Sequence, residues 1–182
     1  MDEQRAFVLE IVRRLDGAGI PCMLTGSLAL AAYAVPRMTR DIDLVVDVAS
    51  ESAERLAALF EGDCYVDREA VRRAISGRGM FNIIHNRWIT KADFIVRKDD
   101  PYRKAEFARR RTFDLEGVPV PVVSPEDLIL SKLLWSRTSA SETQERDVRD
   151  LLAHVRDLDE AYLDHWAAAL GVAEALRKLR TK

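Results

Sequence analysis

Cysteine and histidine are both scarce in this chain: 182 residues hold two cysteines and three histidines. Cys22 and Cys64 form no C-x-x-C pair, and no Cys/His cluster has zinc spacing, so a disulfide framework and a zinc finger are set aside. Two free thiols suit a reducing compartment. His85, His154 and His165 are scattered, show no metal spacing and are given no catalytic role. Long apolar runs are also missing. None approaches the roughly 20 residues a membrane-spanning helix needs. The opening "MDEQRAFVLEIVRRL" is acidic at its start and helical in period, unlike a secretory signal. A soluble, cytoplasmic protein with no membrane partner is expected. Nor does one sign of charge dominate: the formal net charge is -2, which gives no bulk attraction to nucleic acid or membrane. Internal repeats and low-complexity segments are absent from the pattern.

What is present is a good supply of core. Hydrophobic residues make up 48% of the chain and charged residues 32%, which excludes wholesale disorder. The length suits one domain, or one with a small appendage. Phe7, Val8, Ile11, Val12 and Leu15 recur at helical spacing, and "IPCMLTG" reads as a short buried strand. Ser27 to Ala34 reads as a helix stopped by Pro36. "DIDLVVDV" alternates acid with aliphatic, so Ile42, Leu44, Val46 and Val48 share one face of a strand, and Asp41, Asp43, Val45 and Asp47 the other. Helices are expected at "SESAERLAALF", "REAVRRAIS" and "DPYRKAEFARRR", a short strand at 63–67, and strands at "MFNIIH" and "WITKADFIV". "TFDLEGVPVPVV" reads as a hairpin turning at Glu116-Gly117, its prolines suiting an edge strand or a strand end. From "SPEDLILSKLLW", with a Ser cap, Pro in the first turn and acids behind it, everything reads as helix. The expected fold is α/β: a mixed twisted sheet with flanking helices over residues 1–123, and a C-terminal helical segment, 124–182, packing on it.

The stretch "TGSLALAAYAVPRMTRDIDLVV" carries the chemistry. Asp41 and Asp43 stand two apart on a strand, so both carboxylates project from one face with Cα atoms about 6.5–7 Å apart. Held together in a dry site they must protonate or take up a cation. Mg2+ (or Mn2+) accepts one or two carboxylates plus substrate phosphates, and a pair of ions can clamp an in-line displacement at phosphorus. Gly26 allows a phosphate close to the backbone, and Ser27 adds a hydroxyl where a helix begins. Taken singly, a Gly-Ser turn is an ordinary cap and Asp-x-Asp an ordinary solvated strand face. The two joined by a short helix are far more specific. Arg40, next to Asp41, and Arg37 are placed to reach substrate, or Arg40 simply neutralises the acids.

That combination, Gly-Ser, a short helix and then "TRDIDLVV", resembles the polymerase-beta-like nucleotidyltransferase superfamily, and the wider pattern looks most like the small bacterial nucleotidyltransferases that include abortive-infection-type toxins. The resemblance spans roughly residues 20–155, with "SPEDLILSKLLW" and "RDVRDLL" as its less specific later parts. It implies a nucleoside triphosphate (NTP) substrate, with Mg2+ as cofactor and a third carboxylate completing the catalytic and metal set. The match for that carboxylate is Asp93 in "TKADFIV", although a structural Asp93–Lys91 pair is the plainer reading. It also implies Lys132 as a triphosphate contact and an Arg-Asp segment near the nucleotide, here Arg146 and Asp147, with Asp150 on the same helix face as Asp147. For those residues surface charges or an interdomain ion pair remain the bland alternative.

The acceptor stays open among an RNA end, a protein hydroxyl and a small molecule. Two basic clusters, Arg68/Arg72/Arg73/Arg78 and Arg103/Lys104/Arg109/Arg110/Arg111, are either solvated helix faces or a surface for an acceptor such as RNA. A nucleotide-binding protein without turnover, and one half of a toxin–antitoxin pair whose cognate antitoxin masks the cleft, are the other readings.

Overall fold

Asp41, Asp43 and Asp47 against Ile42, Leu44 and Val46 give one strand two unlike faces, and the chain uses that strand as the middle of its sheet. The structure, a computed structural model, describes residues 2–139 and 141–181; residues 1 and 182, the outer bounds of the two expected segments, lie outside the described residues. Helix α1 (Asp2–Gly17) leads into β1 (Cys22–Thr25), α2 (Gly26–Leu30) and β2 (Ile42–Val46). A 3-10 turn (Ser50–Ser52), α3 (Ala53–Ala58), β3 (Cys64–Val66), α4 (Arg68–Gly77), β4 (Met80–His85) and β5 (Thr90–Val96) follow. Then come α5 (Pro101–Ala108), the hairpin β6 (Arg111–Leu115) and β7 (Val118–Val122), and α6 (Pro125–Ser139), α7 (Glu142–His154), α8 (Glu160–Ala169) and α9 (Ala173–Arg180).

The seven strands form one mixed sheet in the order β3-β4-β5-β2-β1-β7-β6. β2 runs parallel to β5 and β1 to β7, and the other neighbours are antiparallel. On one face Ile42, Leu44 and Val46 stand level with Ala92, Phe94 and Val96, all buried. Phe81 stacks on Phe94 at 5.0 Å, and Phe60 meets Phe94 edge-on at 5.6 Å. Helix α1 closes this side, packing on β1, β5 and β7 with Phe7, Ile11 and Leu15 fully buried. Each such side chain contributes about 1.5–3 kcal/mol by leaving water. The other face carries Asp43 and Val45 on β2 and Asp93 and Ile95 on β5, and α2 and α6 stand over part of it.

Several local details differ from the periodicity. The helix after Gly26 ends at Leu30 and relaxes into i→i+3 turns up to Tyr33, whose hydroxyl donates to the carbonyl of Val123 at 2.7 Å. Strand β5 starts at Thr90 instead of Trp88. Residues 86–89 form a turn in which Ile89 takes a left-handed φ of 50° and Trp88 stacks on His85 at 3.9 Å. The hairpin turn does fall at Glu116-Gly117, both left-handed (φ 54° and 77°), which is the two-residue geometry that matches strand twist. Its prolines are not on an edge strand: β7 lies inside β6. They are tolerated because β7 pairs with β1 only at Leu24–Val122, beyond Pro119 and Pro121.

The start of α6 is more than a cap. Ser124 accepts from the Asp127 amide at 3.1 Å and donates to its carboxylate at 2.7 Å, as the Ser-Pro-acid pattern leads one to expect. The acids Glu126 and Asp127, however, are fully buried. Tyr162 donates to Asp127 at 2.7 Å, the Asp159 amide donates to Glu126 at 3.0 Å, and the Arg109 guanidinium lies 3.8 Å over the Tyr162 ring. These contacts tie α5, α6 and α8 together. The buried cluster runs without a break from Phe7 to Leu179.

Candidate active site

Strand register builds the site. Thr25 stands opposite Asp43, Asp43 opposite Asp93, and Asp93 opposite Asn82. One row across the sheet therefore reads Asn82, Asp93, Asp43, Thr25, with paired positions facing the same way. Asn82 belongs to this row, and nothing in its own segment of sequence marks it. Asp41 lies just before β2, its side chain 59% exposed, while Asp93 is buried. Lys91 shares their side: its ammonium is 2.7 Å from Asp93 and 3.6 Å from Asp41. The structural pair and the acid trio are thus both present, and Lys91, not the exposed Arg40, neutralises the acids. Arg40 has no ion pair among the described residues.

The bend at Gly26 touches this row directly. Gly26 has φ 65°, and a Cβ there would lie 2.1 Å from Oδ2 of Asp43, so only glycine fits. Ser27 follows, its hydroxyl accepting from the Arg37 guanidinium. Helix α2 has only five residues, so its dipole adds little at the bend, and the cations beside the bend are Arg37 and Lys132. Burial, then repulsion from Asp93 and Asp41, pushes Asp43 up to about 6, with Lys91 and Lys132 opposing. Three acids on one face, one of them disfavoured as an anion and partly offset by an ammonium, form a donor set that fits a hard divalent cation.

The opposite wall comes from α6 and α7. Lys132 and Asp147 are both buried and 2.6 Å apart, and Lys132 also donates to Gln144 at 3.2 Å. Arg37 reaches the same Asp147 carboxylate at 3.1 Å. Burial lowers the pKa of the Lys132 ammonium below the ordinary lysine range, and Asp147 opposes that shift. Asp147 is therefore no surface charge: it joins the two cations nearest the Gly-Ser bend. Arg146 and Asp150 do not join it in that contact. Between the walls lies a cavity of about 210 Å³, bordered by Gly26, Ser27, Asp43, Lys132, Trp135 and Gln144, among others. Sequence reasoning missed Gln144 and Trp135. Trp135 stands three residues after Lys132 on α6 and Gln144 lies on the neighbouring α7, so they border one cavity only once the two helices are packed.

Elsewhere the basic clusters are occupied. Arg68, Arg72 and Arg73 pair with Glu54, Glu61 and Glu69, Lys104 with Asp99, Arg103 with Glu106, and Arg109 and Arg111 with Glu126. Arg78 and Arg110 of these clusters instead donate to the carbonyl oxygens of Arg97 and Phe107. His85 does meet acids: among the described residues, Glu10, Asp63 and His85 are the one group of His, Cys, Asp or Glu whose ligand atoms all lie within 4.8 Å, so the three aspartates stand wider apart than that. No spacing rule finds residues so distant in sequence. This group already has a cation, since Arg14 donates to Asp63 at 2.8 Å and to Glu10 at 3.3 Å. His85 spends Nδ1 accepting from the Trp88 amide at 3.3 Å.

The fold is like that of nucleotidyltransferases. Its arrangement is shared by solved structures of low identity. A nucleotidyltransferase-like antigen from Paracoccidioides brasiliensis matches at TM-score 0.65 and 20% identity, over 100% of this chain and 93% of that one. The antibiotic-resistance factor ANT(2″)-Ia, in complex with adenylyl-2″-tobramycin, matches at TM-score 0.59 and 18% identity, over 93% of this chain and 97% of that one. The lincosamide adenylyltransferase LnuA matches at TM-score 0.53 and 13% identity, over 83% and 96%. These likenesses speak to the fold. A family model described as nucleotidyl transferase AbiEii toxin, type IV toxin–antitoxin system, matches residues 10–181, and the chain belongs to that family. No curated protein matches it. Among the described residues no helix is long and apolar enough to cross a membrane.

Proposed function

We propose that the chain transfers a nucleoside monophosphate from an NTP to a hydroxyl, releasing pyrophosphate, with Mg2+ (or Mn2+) held by Asp41, Asp43 and Asp93. When bound, the metal supplies charge neutralisation at the phosphates and between the acids. The chain's own residues do the rest. The Gly26 backbone and the Ser27 hydroxyl receive the phosphate chain, and Lys132 and Arg37 turn from Asp147 toward the β- and γ-phosphates, stabilising the charge that collects on the leaving group. The acceptor oxygen bonds to the α-phosphorus as the bond to the bridging oxygen breaks, and the hydroxyl proton passes to Asp93. Positioning and electrostatics carry this step, with no covalent intermediate on the protein. The supporting observation is the contact of Gly26 with Asp43, itself in register with Asp93, which joins the phosphate bend to the acids.

The acceptor is an RNA end, a protein hydroxyl or a small molecule. The family's description as a toxin favours a macromolecule, whereas the tobramycin and lincomycin neighbours supply the small-molecule precedent. A cognate antitoxin is the expected partner. Two further proposals accompany this reading: residues 124–182 form a helical segment distinct from 1–123 that supplies the phosphate-binding wall, and the protein works in the cytoplasm. The test is incubation with labelled NTPs, Mg2+ and a cell extract. Label should appear in one acceptor fraction with release of pyrophosphate, and Asp43→Asn should abolish both. A chain that binds NTP equally with and without Mg2+ and labels nothing would be a binding protein of this fold instead.

A further inference from the structure

Four residues mark out a rectangle on the acid-bearing side of the sheet. Asp43 stands opposite Asp93 in the parallel pair β2–β5, and Asp41 and Lys91 each lie two residues earlier on their strands, so they too are level with one another. Neighbouring corners are about 4.8 Å apart across the strands and about 6.5–7 Å apart along them. Three corners are carboxylates and the fourth is an ammonium. Lys91 reaches along its own strand to Oδ2 of Asp93 at 2.7 Å and across to Oδ1 of Asp41 at 3.6 Å. The three carboxylates, by contrast, do not bring their oxygens within 4.8 Å of one another. The two lysines beside these acids are held in different ways. Lys132 is buried together with its partner Asp147. The Lys91 side chain is 40% accessible, and its ion pairs are with Asp41 and Asp93. Its long stem lets the head group enter water without unpacking a neighbour.

We infer that Lys91 is a resident counter-ion that competes with the divalent cation for Asp41 and Asp93 and is displaced when that cation binds. The inference rests on the nucleotidyl-transfer reading and adds to it the residue that sets how tightly the ion is held. Three carboxylates gathered in a partly buried site repel one another. The ammonium offsets that repulsion in the metal-free protein, so the sheet keeps its acid row before an ion arrives. The same contact weakens the site for a metal. Both cations draw on the same two carboxylates, and at such separations they repel each other, so entry of the ion drives the ammonium out to water. Displacement also frees the base, because an Asp93 oxygen that holds an ammonium at 2.7 Å is not open to the acceptor's proton. Lys91 acts through Asp41 and Asp93 and not on the reacting atoms. It is a positioning residue, and its signature is the affinity for the ion.

Mn2+ is titrated into the full chain without nucleotide, and the free ion is followed by electron paramagnetic resonance. The unaltered protein is compared with Lys91→Met, Lys91→Arg and Asp43→Asn. Lys91→Met should bind Mn2+ about 5-fold tighter, the scale of a partly exposed ion pair. Lys91→Arg keeps the charge and should bind no tighter than the unaltered chain. Asp43→Asn should lose the binding. In thermal melts without metal, Lys91→Met should unfold at a lower temperature than the unaltered protein, and saturating Mn2+ should close that gap. Where Lys91→Met is too unstable to titrate, Lys91→Gln, which keeps a donor toward Asp93 without the charge, is read in its place. An uncharged variant that binds Mn2+ no tighter than the unaltered chain overturns the inference and leaves nucleotidyl transfer standing, with Lys91 a structural partner of Asp93. Binding that survives Asp43→Asn unchanged places the ion away from the acid row and overturns it as well. Absence of Mn2+ binding in every form sinks the inference and the metal-dependent reading together.

Discussion

At the scale of single residues, two positions decide the site. Gly26 is fixed by contact and by backbone conformation together: its φ is 65° and an added methyl would overlap the Asp43 carboxylate. Gly26→Ala should therefore cost about 1–3 kcal/mol of stability and, by displacing Asp43, nearly all activity. The check is a thermal melt beside a pyrophosphate-release assay, and a variant that keeps both would remove the bend from the argument. Asp147 presents the opposite case. It is a buried acid whose partners, Lys132 and Arg37, converge on it from a helix and a loop. Asp147→Ala leaves the Lys132 ammonium buried without its counter-charge and should destabilise the fold by about 3–5 kcal/mol, measured by urea denaturation. Lys132→Met with Asp147→Asn, which removes the charge from both, should recover much of that loss without restoring activity. Stability and catalysis separate in that pair of experiments. Before packing, neither the burial of Asp147 nor its partners could be known, and charged residues on an amphipathic helix ordinarily face water.

At the scale of elements, the start of α6 behaves as a buried joint. Burial pushes Asp127 up from 3.8 to about 6, although the Ser124 and Tyr162 hydroxyls both donate to it and lower it. The folded state thus holds the Asp127 proton more tightly than the unfolded chain does. This group's contribution to stability is full below about pH 4 and is lost as pH rises through about 6. Asp127→Asn, which keeps the shape and the hydrogen-bonding capacity, should flatten that part of the profile, seen as denaturation midpoints that change less between pH 4 and pH 7 than those of the unaltered protein. An unchanged slope would place the titration elsewhere. The Ser-Pro-acid pattern showed where the helix begins but not that its acids turn inward, because their partners Tyr162, Asp159 and Arg109 come from other elements.

At the scale of the whole molecule, what was readable in the sequence follows from the range of each interaction. Period-two alternation placed β2, a Glu-Gly turn placed the hairpin, and the Gly-Ser bend with Asp41 and Asp43 marked the candidate site, because each is local. Asp93 came from resemblance, and only register sets it beside Asp43. Asn82, Gln144, Trp135 and the tie from Asp147 to Arg37 depend on strands and helices that meet after long stretches of chain. The same long-range contacts bear on how the chain unfolds. Leu128, Ile129, Leu130 and Leu133 of α6 are buried in one cluster with Phe7, Leu44 and Phe94, and Asp147 of α7 holds the loop that carries Arg37. The helices cannot come away without exposing that apolar wall and leaving the Lys132 ammonium and the Arg37 guanidinium without their shared acid. Scanning calorimetry should accordingly show a single transition with equal calorimetric and van't Hoff enthalpies. Cutting the chain after Val123 should yield a fragment that does not fold, since β1 and β2 would lose the helical layer over the acid-bearing face. Two resolved transitions, or a folded fragment, would mean that the acid row is held by the sheet alone and that the wall carrying Lys132 and Asp147 is free to open and close over it.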